Sequence, residues 1–453
     1  MDIDQLRRRV ADGMTQTTAE LARLVAIPSI GYPGYDPANV RLSAQTTAEI
    51  LRASGCDDVR LIELEGGHPA VYGQIPGPAD APTLLLYAHH DVQPEGDGSA
   101  WNTPPFEPTV RDGRMYGRGA ADDKSGIAIH AAALRVLDVA QGDGLPATIK
   151  ILVEGEEECS TEHLPELVEG NADLLRADVA VIADGGNYRT GLPTIGTSVR
   201  GITDCHVTVR VLPIAQHSGS YGGAIPDAIT ALCRIIATLH DDRGDVAIAG
   251  LHSFTWEGMQ FPENELREES RVLDSVQMIG TGTLADRLLS KPAVSVLGFD
   301  APSVDESSNQ LVPQARARVS LRLAPGDDPV AARDAMVAHL LAAAPWGVEV
   351  EVEAAEAGMG YLVDTTTDAY AAAKDALAEA FGRDVIEIGS GGSIPLVPML
   401  ARTFPGIAVL IWGAGDERSN FHSLDESVDL TDLERMVLAE ALFVRNLGRG
   451  ASS

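Results

Sequence analysis

A chain of 453 residues exceeds the roughly 250 to 300 residues at which single cores stop growing, so two domains are expected. Apolar residues at 45% and charged residues at 22% exclude a disordered or fibrous chain. With 34 Lys and Arg against 66 Asp and Glu, the formal charge of -32 repels phosphate backbones and anionic lipid surfaces, which excludes nucleic acid and membrane as partners.

The first 25 residues mix charges throughout, and no later run approaches the ~20 apolar residues that span a bilayer, so a cytoplasmic location is expected. Cys56, Cys159, Cys205 and Cys233 are scattered without a C-x-x-C pair, which predicts reduced, mostly buried thiols. Apolar positions at helical spacing predict a helix over 5–27, stopped by Pro28. Short apolar runs then alternate with helical stretches: TLLLYA at 83–88, a helix near 125–138, TIKILVEG at 148–155 and VAVIAD at 179–184. Such alternation predicts an α/β layer, a mainly parallel sheet with helices on both faces.

Near residue 200 the pattern changes. CHVTVRVLP, ARARVSLRLAP and VEVEVEAAEAG alternate strictly, as strands of a sheet with one exposed face do, and helices are expected near 226–240 and 328–343. The stretch 245–300 lacks a regular period and reads as an insertion. After 362 the first pattern resumes with a helix through TTTDAYAAAKDALAEAF, the run GIAVLIWG and a closing helix. The expected organisation is one α/β domain from 1–199 and 362–453, with an α+β domain of β-α-β-β-α-β (ferredoxin-like) type inserted at 200–361.

Chemistry-bearing residues follow the apolar runs of the first pattern. His89, His90 and Asp91 follow TLLLYA; Glu156, Glu157 and Glu158 follow TIKILVEG; Asp184 ends VAVIAD; His422 comes after GIAVLIWG and a polar turn. Ligand crevices of open α/β sheets lie outside the carboxyl ends of the strands, so these groups should converge. Clustered carboxylates raise one another's pKa and resist burial, a conflict that bound cations remove. Two imidazoles among several carboxylates suit zinc or manganese better than magnesium or calcium.

The segments AHHDVQP (88–94), GRGAADDKSG (117–126), EGEEE (154–158), IADGG (182–186), HSGSYGG (217–223) and SLRLAP (320–325) resemble, in order, those of the two-metal metallopeptidases. That family contains carnosinase-type dipeptidases, aminoacylases and glutamate carboxypeptidases, and the likeness is best to the dipeptidase branch. The resemblance implies two divalent metal ions per subunit, Zn2+ or alternatively Mn2+. His89 and Asp184 would hold one, Glu158 and His422 the other, with Asp122 bridging and the Asp122–Asp123 peptide bond cis. Asp91 would accept a hydrogen bond from His89 and fix its tautomer. Glu157 would be the general base acting on a water between the cations.

By the same resemblance, His217 would stabilise the oxyanion from a second subunit, and Arg322 would pair with the substrate's C-terminal carboxylate. The inserted domain would serve as lid and homodimer interface. The implied activity is hydrolysis of dipeptides or small peptides with a free C-terminal carboxylate. An aminoacylase, another N-acyl amino acid amidohydrolase or a carboxypeptidase of the same family is the alternative. A catalytically dead relative would have lost a ligand or the base, and all are retained.

Several positions depart from the commoner family pattern: Ala88, Cys159 with Ser160, Gly389 with Ser390, and Asp425. None is a ligand. His90 is expected to be a bystander, and His68, His130, His163, His206, His240, His252 and His339 to be structural.

Overall fold

The computed structural model describes residues 2–137 and 145–447. The chain forms two units. Met1–Thr197, Val363–Ile388 and Ile394–Ser453 make the larger, and Ser198–Leu362 with Gly389–Ser393 make the smaller.

In the larger unit the opening helix, Ile3–Val25, starts two residues earlier than the periodicity predicts. Asp2 explains this: its carboxylate accepts from Gln5 N at 2.8 Å, while Gln5 Oε1 accepts from Asp2 N at 3.0 Å. Two amides that a helix start leaves orphaned are thereby satisfied. The sheet runs in the order Asp58–Ile62, Ala70–Ile75, Thr148–Glu154, Thr83–His89, Val179–Ile182, Ala408–Ile411 and Thr194–Val199. The central four, from Thr148–Glu154 to Ala408–Ile411, are mutually parallel, and antiparallel pairs flank them.

Thr83–His89 is buried from Leu84 onward and Val179–Ile182 throughout, the mark of strands covered on both faces. Helix Lys124–Val136 packs on Thr83–His89, Asp368–Phe381 on Ala408–Ile411, and Pro37–Ala53 on the two leading strands. Register aligns the ends of the central strands, His89 opposite Glu154, Tyr87 opposite Ile182 and Ile182 opposite Ile411. The loops that follow them therefore open at one edge.

One buried pair fastens this layer. His130, on Lys124–Val136, places Nδ1 2.9 Å from both carboxylate oxygens of Glu440 on the closing helix Leu430–Leu447, and Nε2 3.0 Å from the main-chain oxygen of Tyr87. Burial alone would lower the imidazole pKa, but Glu440 reverses that and raises it. His130→Ala leaves Glu440 buried without its partner and is expected to cost about 3–5 kcal/mol in denaturant unfolding. A folded-state pKa raised above the unfolded value contributes stability that is complete below about pH 6.5 and disappears as pH rises through the raised value. The gap between wild type and variant should accordingly be widest below about pH 6.5 and narrow above it; a gap independent of pH would contradict an ionised pair.

The smaller unit is a β-α-β-β-α-β arrangement. Its antiparallel sheet has the order Ala293–Asp300, Gln314–Leu323, Gly201–Arg210, Glu349–Gly358, with helices Ala228–Ala237 and Pro329–Ala342 packed on one face. Val207, Val209, Val319 and Leu321 meet Leu232, Ile235, Met336 and Leu340 in the core. The opposite face carries ion pairs between strands, among them Arg210–Glu351 at 2.7 Å and Arg316–Glu353 at 2.9 Å. The stretch 245–300 is less irregular than its sequence suggests, since it contains helix Glu263–Ser270 and the strand Ala293–Asp300. That strand escapes detection because it is exposed from Ser295 onward and lacks an alternating pattern. Among the described residues, no helix is long and apolar enough to cross a membrane.

Candidate metal centre

Five of the side chains singled out by sequence gather at the carboxyl edge of the parallel strands. Potential ligand atoms of His89, Asp122 and Asp184 lie within 4.8 Å of one another, as do those of Asp122, Glu158 and His422. Such spacings match two bonds of ~2 Å to a common ion. Asp122 belongs to both groups. Its Oδ1 is 3.0 Å from His89 Nε2, and its Oδ2 is 3.1 Å from His422 Nε2, which is itself 3.3 Å from Glu158 Oε2.

Each position follows from local structure. His89 ends its strand and is fully buried, with Nδ1 3.1 Å from the main-chain oxygen of Asp91 and 3.5 Å from its carboxylate. That leaves Nε2 facing Asp122. The Asp91 carboxylate also accepts from Glu157 N at 3.2 Å and Glu158 N at 3.0 Å, fixing the turn that carries both glutamates. The Asp122–Asp123 peptide bond is cis, and Asp123 caps Lys124–Val136 by accepting from Gly126 N. His422 differs from its companions. It adopts a positive φ of 57° on a loop and keeps 56% of its side chain exposed, whereas the Glu158 side chain is 5% exposed.

The electrostatics are those of a site with surplus negative charge. Burial, then the Asp122 charge, pushes Asp184 up to about 7. Burial, followed by Asp184, raises Glu157 well above the carboxylate range. Hydrogen bonds to Asp122 and Glu158 push His422 up to about 11. At His89 burial opposes the charge, yet the hydrogen bonds to Asp122 and Asp91 raise its pKa strongly. Divalent cations would neutralise this surplus charge, and the donor set of two imidazoles and three carboxylates fits such ions. Among the described residues the carboxyl oxygens of Glu157 accept no hydrogen bond, so that group is free for other work.

His217 and Arg322 belong to the smaller unit. His217 is exposed, pairs with Gln310 in a two-residue ladder and accepts from Ser220 N through Nδ1 at 3.2 Å. Arg322 lies on Gln314–Leu323 opposite Ile202, with its pKa lowered by burial. His90 turns away from the site: it is buried, bonded to the main-chain oxygen of Pro69, and burial lowers its pKa to about 4. None of the seven histidines expected to be structural is in either ligand group among the described residues.

Cys159 packs against Gly31, where an added Cβ would lie 2.6 Å from its sulfur, and burial keeps it a thiol. Asp425 has a positive φ of 56°, a conformation Asp and Asn tolerate, and its carboxylate accepts from Asn102 N at 2.8 Å and Nδ2 at 2.6 Å.

Sequence reasoning missed three supporting residues. Gln93 donates to Glu158 Oε2 at 2.7 Å, and Tyr32 donates to the main-chain oxygen of Glu158 at 2.6 Å. Glu426 is buried beneath Asp122. Gln93 lies inside AHHDVQP, so its nearness to His89 was the available signal; nothing in the sequence flags the other two.

Comparison with known proteins adds to this geometry. Residues 85–446 match the model of peptidase family M20/M25/M40. The cysteinylglycine-S-conjugate dipeptidase of Corynebacterium striatum is 38% identical over 375 residues, 82% of each chain. Human carnosine dipeptidase 1 superposes with a TM-score of 0.85 at 22% identity over 99% of both chains. The metallo-carboxypeptidase Sso-CP2 of Sulfolobus solfataricus gives 0.85 at 25% identity, covering 96% of this chain and 99% of its own.

Proposed function

The chain belongs to peptidase family M20/M25/M40 and is a metallopeptidase, and from that premise we propose that it hydrolyses the amide bond of dipeptides that carry a free C-terminal carboxylate. The observation that carries the proposal is Asp122, whose two oxygens face the two halves of a five-residue donor set beside an uncommitted carboxyl, Glu157.

In this reading His89 and Asp184 would hold one cation and Glu158 and His422 a second, with Asp122 available to both. Zinc suits the imidazole-containing set, with manganese the alternative. When bound, such a pair of cations acidifies water and polarises a carbonyl. Glu157 takes the proton released as water adds to the scissile carbonyl, then delivers it to the departing amine. Asp91 keeps Glu157 and Glu158 in register through their amides. Arg322 pairs with the substrate carboxylate, and His217 donates to the oxyanion from a second copy of the chain.

A two-fold dimer through the smaller unit belongs to the same proposal, and the exposed Val296, Leu297 and Phe299 of its outermost strand support it. Four free thiols support a reducing, cytoplasmic compartment.

Supplying the zinc-loaded protein with Cys-Gly and β-Ala-His dipeptides, tripeptides and N-acetyl amino acids tests the substrate class. Release of amino acids from dipeptides is expected. Cleavage confined to N-acetyl amino acids would replace the proposal with an aminoacylase, and removal of only the C-terminal residue from longer peptides with a carboxypeptidase.

A further inference from the structure

Glu426 is fully buried, four residues after His422, and binds the loop that presents Asp122. Its Oε2 accepts from Arg118 Nη1 at 2.7 Å and Gly119 N at 3.0 Å, and its Oε1 from Ala121 N at 2.9 Å and Asp122 N at 3.1 Å. A single carboxylate thus receives four donors, three of them main-chain amides within the four residues that end at the shared ligand.

The arrangement extends a short zipper. Ser427–Asp429 pairs antiparallel with Arg114–Tyr116, Ser427 opposite Tyr116, and Gly117 N then donates to the main-chain oxygen of Glu426 at 2.9 Å. Beyond that point the side chain of Glu426 takes over from the main chain and carries the contact to Asp122. The backbone there cannot form a regular ladder: Gly117 and Gly119 have φ of 156° and 81°, and a Cβ at Gly119 would lie 2.5 Å from Val92 Cγ1.

Arg118 is held in turn by the main-chain oxygen of Pro94 at 3.2 Å and lies 5.3 Å from the centre of the Trp101 ring. The guanidinium offsets the charge of the buried carboxylate, which would otherwise be costly in this acidic neighbourhood.

We propose that Glu426 is a positioning residue that fixes the separation of Asp122 and His422, and so sets the affinity of the Asp122–Glu158–His422 group for its cation. The proposal rests on the reading of that group as a metal site. Glu426→Gln puts an amide NH2 in place of one carboxylate oxygen, facing two N–H donors. Glu426→Asp keeps the charge but withdraws it by one methylene, so it cannot reach all four donors.

Co2+ titration of the metal-free protein, followed by absorption spectroscopy and by the metal-induced shift in Tm, reads affinity within each variant independently of its basal stability. Both variants should fold, bind the more weakly held Co2+ about 10–100-fold less tightly and show an altered ligand-field spectrum. At saturating Co2+, kcat should fall while KM stays near wild type, with Glu426→Asp less affected than Glu426→Gln.

Folded variants with wild-type Co2+ affinity and spectrum would overturn the proposal. So would failure of both to fold, which would make Glu426 a scaffold residue only. Wild-type protein that bound no Co2+ would instead remove the metal-site reading from which the proposal starts.

Discussion

Glu157→Gln is expected to lower kcat by roughly 100- to 10,000-fold while leaving metal content unchanged. The side chain is not in either ligand group, and the described residues give its carboxyl oxygens no hydrogen-bond partner. Burial and the adjacent Asp184 raise its pKa. The amide is nearly isosteric and uncharged, so it removes the proton acceptor with little change in packing. Steady-state kinetics with a dipeptide, paired with metal analysis of the same sample, separate the possibilities. Wild-type kcat in the metal-loaded variant would remove Glu157 from the chemistry, and loss of metal would recast it as a ligand.

Asp122→Ala should do more damage by a different route. Asp122 is the one residue common to both ligand groups, and its removal also leaves His89 and His422 without the carboxylate nearest to each. Metal content after dialysis should fall by at least one ion per chain. Losing several kcal/mol of carbonyl polarisation and nucleophile activation corresponds to a decrease of roughly 1,000-fold or more in kcat/KM. Elemental analysis and kinetics together check this. A variant that retained two cations and substantial turnover would show that the two groups act separately.

Most of the ligand set was legible because His89, Glu158 and Asp184 each follow an apolar run that the sequence displays openly. Short apolar runs such as TLLLYA and VAVIAD, alternating with helical stretches, pointed to covered strands, and the polar residues beyond them emerge at one sheet edge. His422 follows the run GIAVLIWG at the remove of a polar turn, whereas Asp122 lies after no such marker and the resemblance of GRGAADDKSG identified it. What stayed hidden is work done on main-chain atoms. Asp91 was expected to act on the His89 ring, and its carboxylate lies 3.5 Å from Nδ1; that it also holds the amides of Glu157 and Glu158 was not expected. Glu426 likewise binds amides, which every residue possesses, so no side-chain pattern points to it.

Ala293–Asp300 was hidden for the opposite reason. As the outermost strand of its sheet it is largely exposed, and burial imposed no period on its sequence. Helix Pro37–Ala53 carried an ordinary start signal in Asp36 and Pro37 but was overlooked beside the longer helix before it.

The way the chain leaves and re-enters the larger unit bears on how the protein is made. Val199 pairs with Tyr361 and Ser198 with Leu362, and Val363 N donates to the main-chain oxygen of Thr197 at 2.9 Å. On a ribosome the first 197 residues emerge long before Ala408–Ile411, the strand that must join Val179–Ile182, so the large sheet waits for its last parallel member. The intervening segment is contiguous, and once folded it brings its two ends side by side. A long, entropically costly loop thereby shrinks to a hydrogen-bonded junction before the C-terminal strands and helices have to find their places.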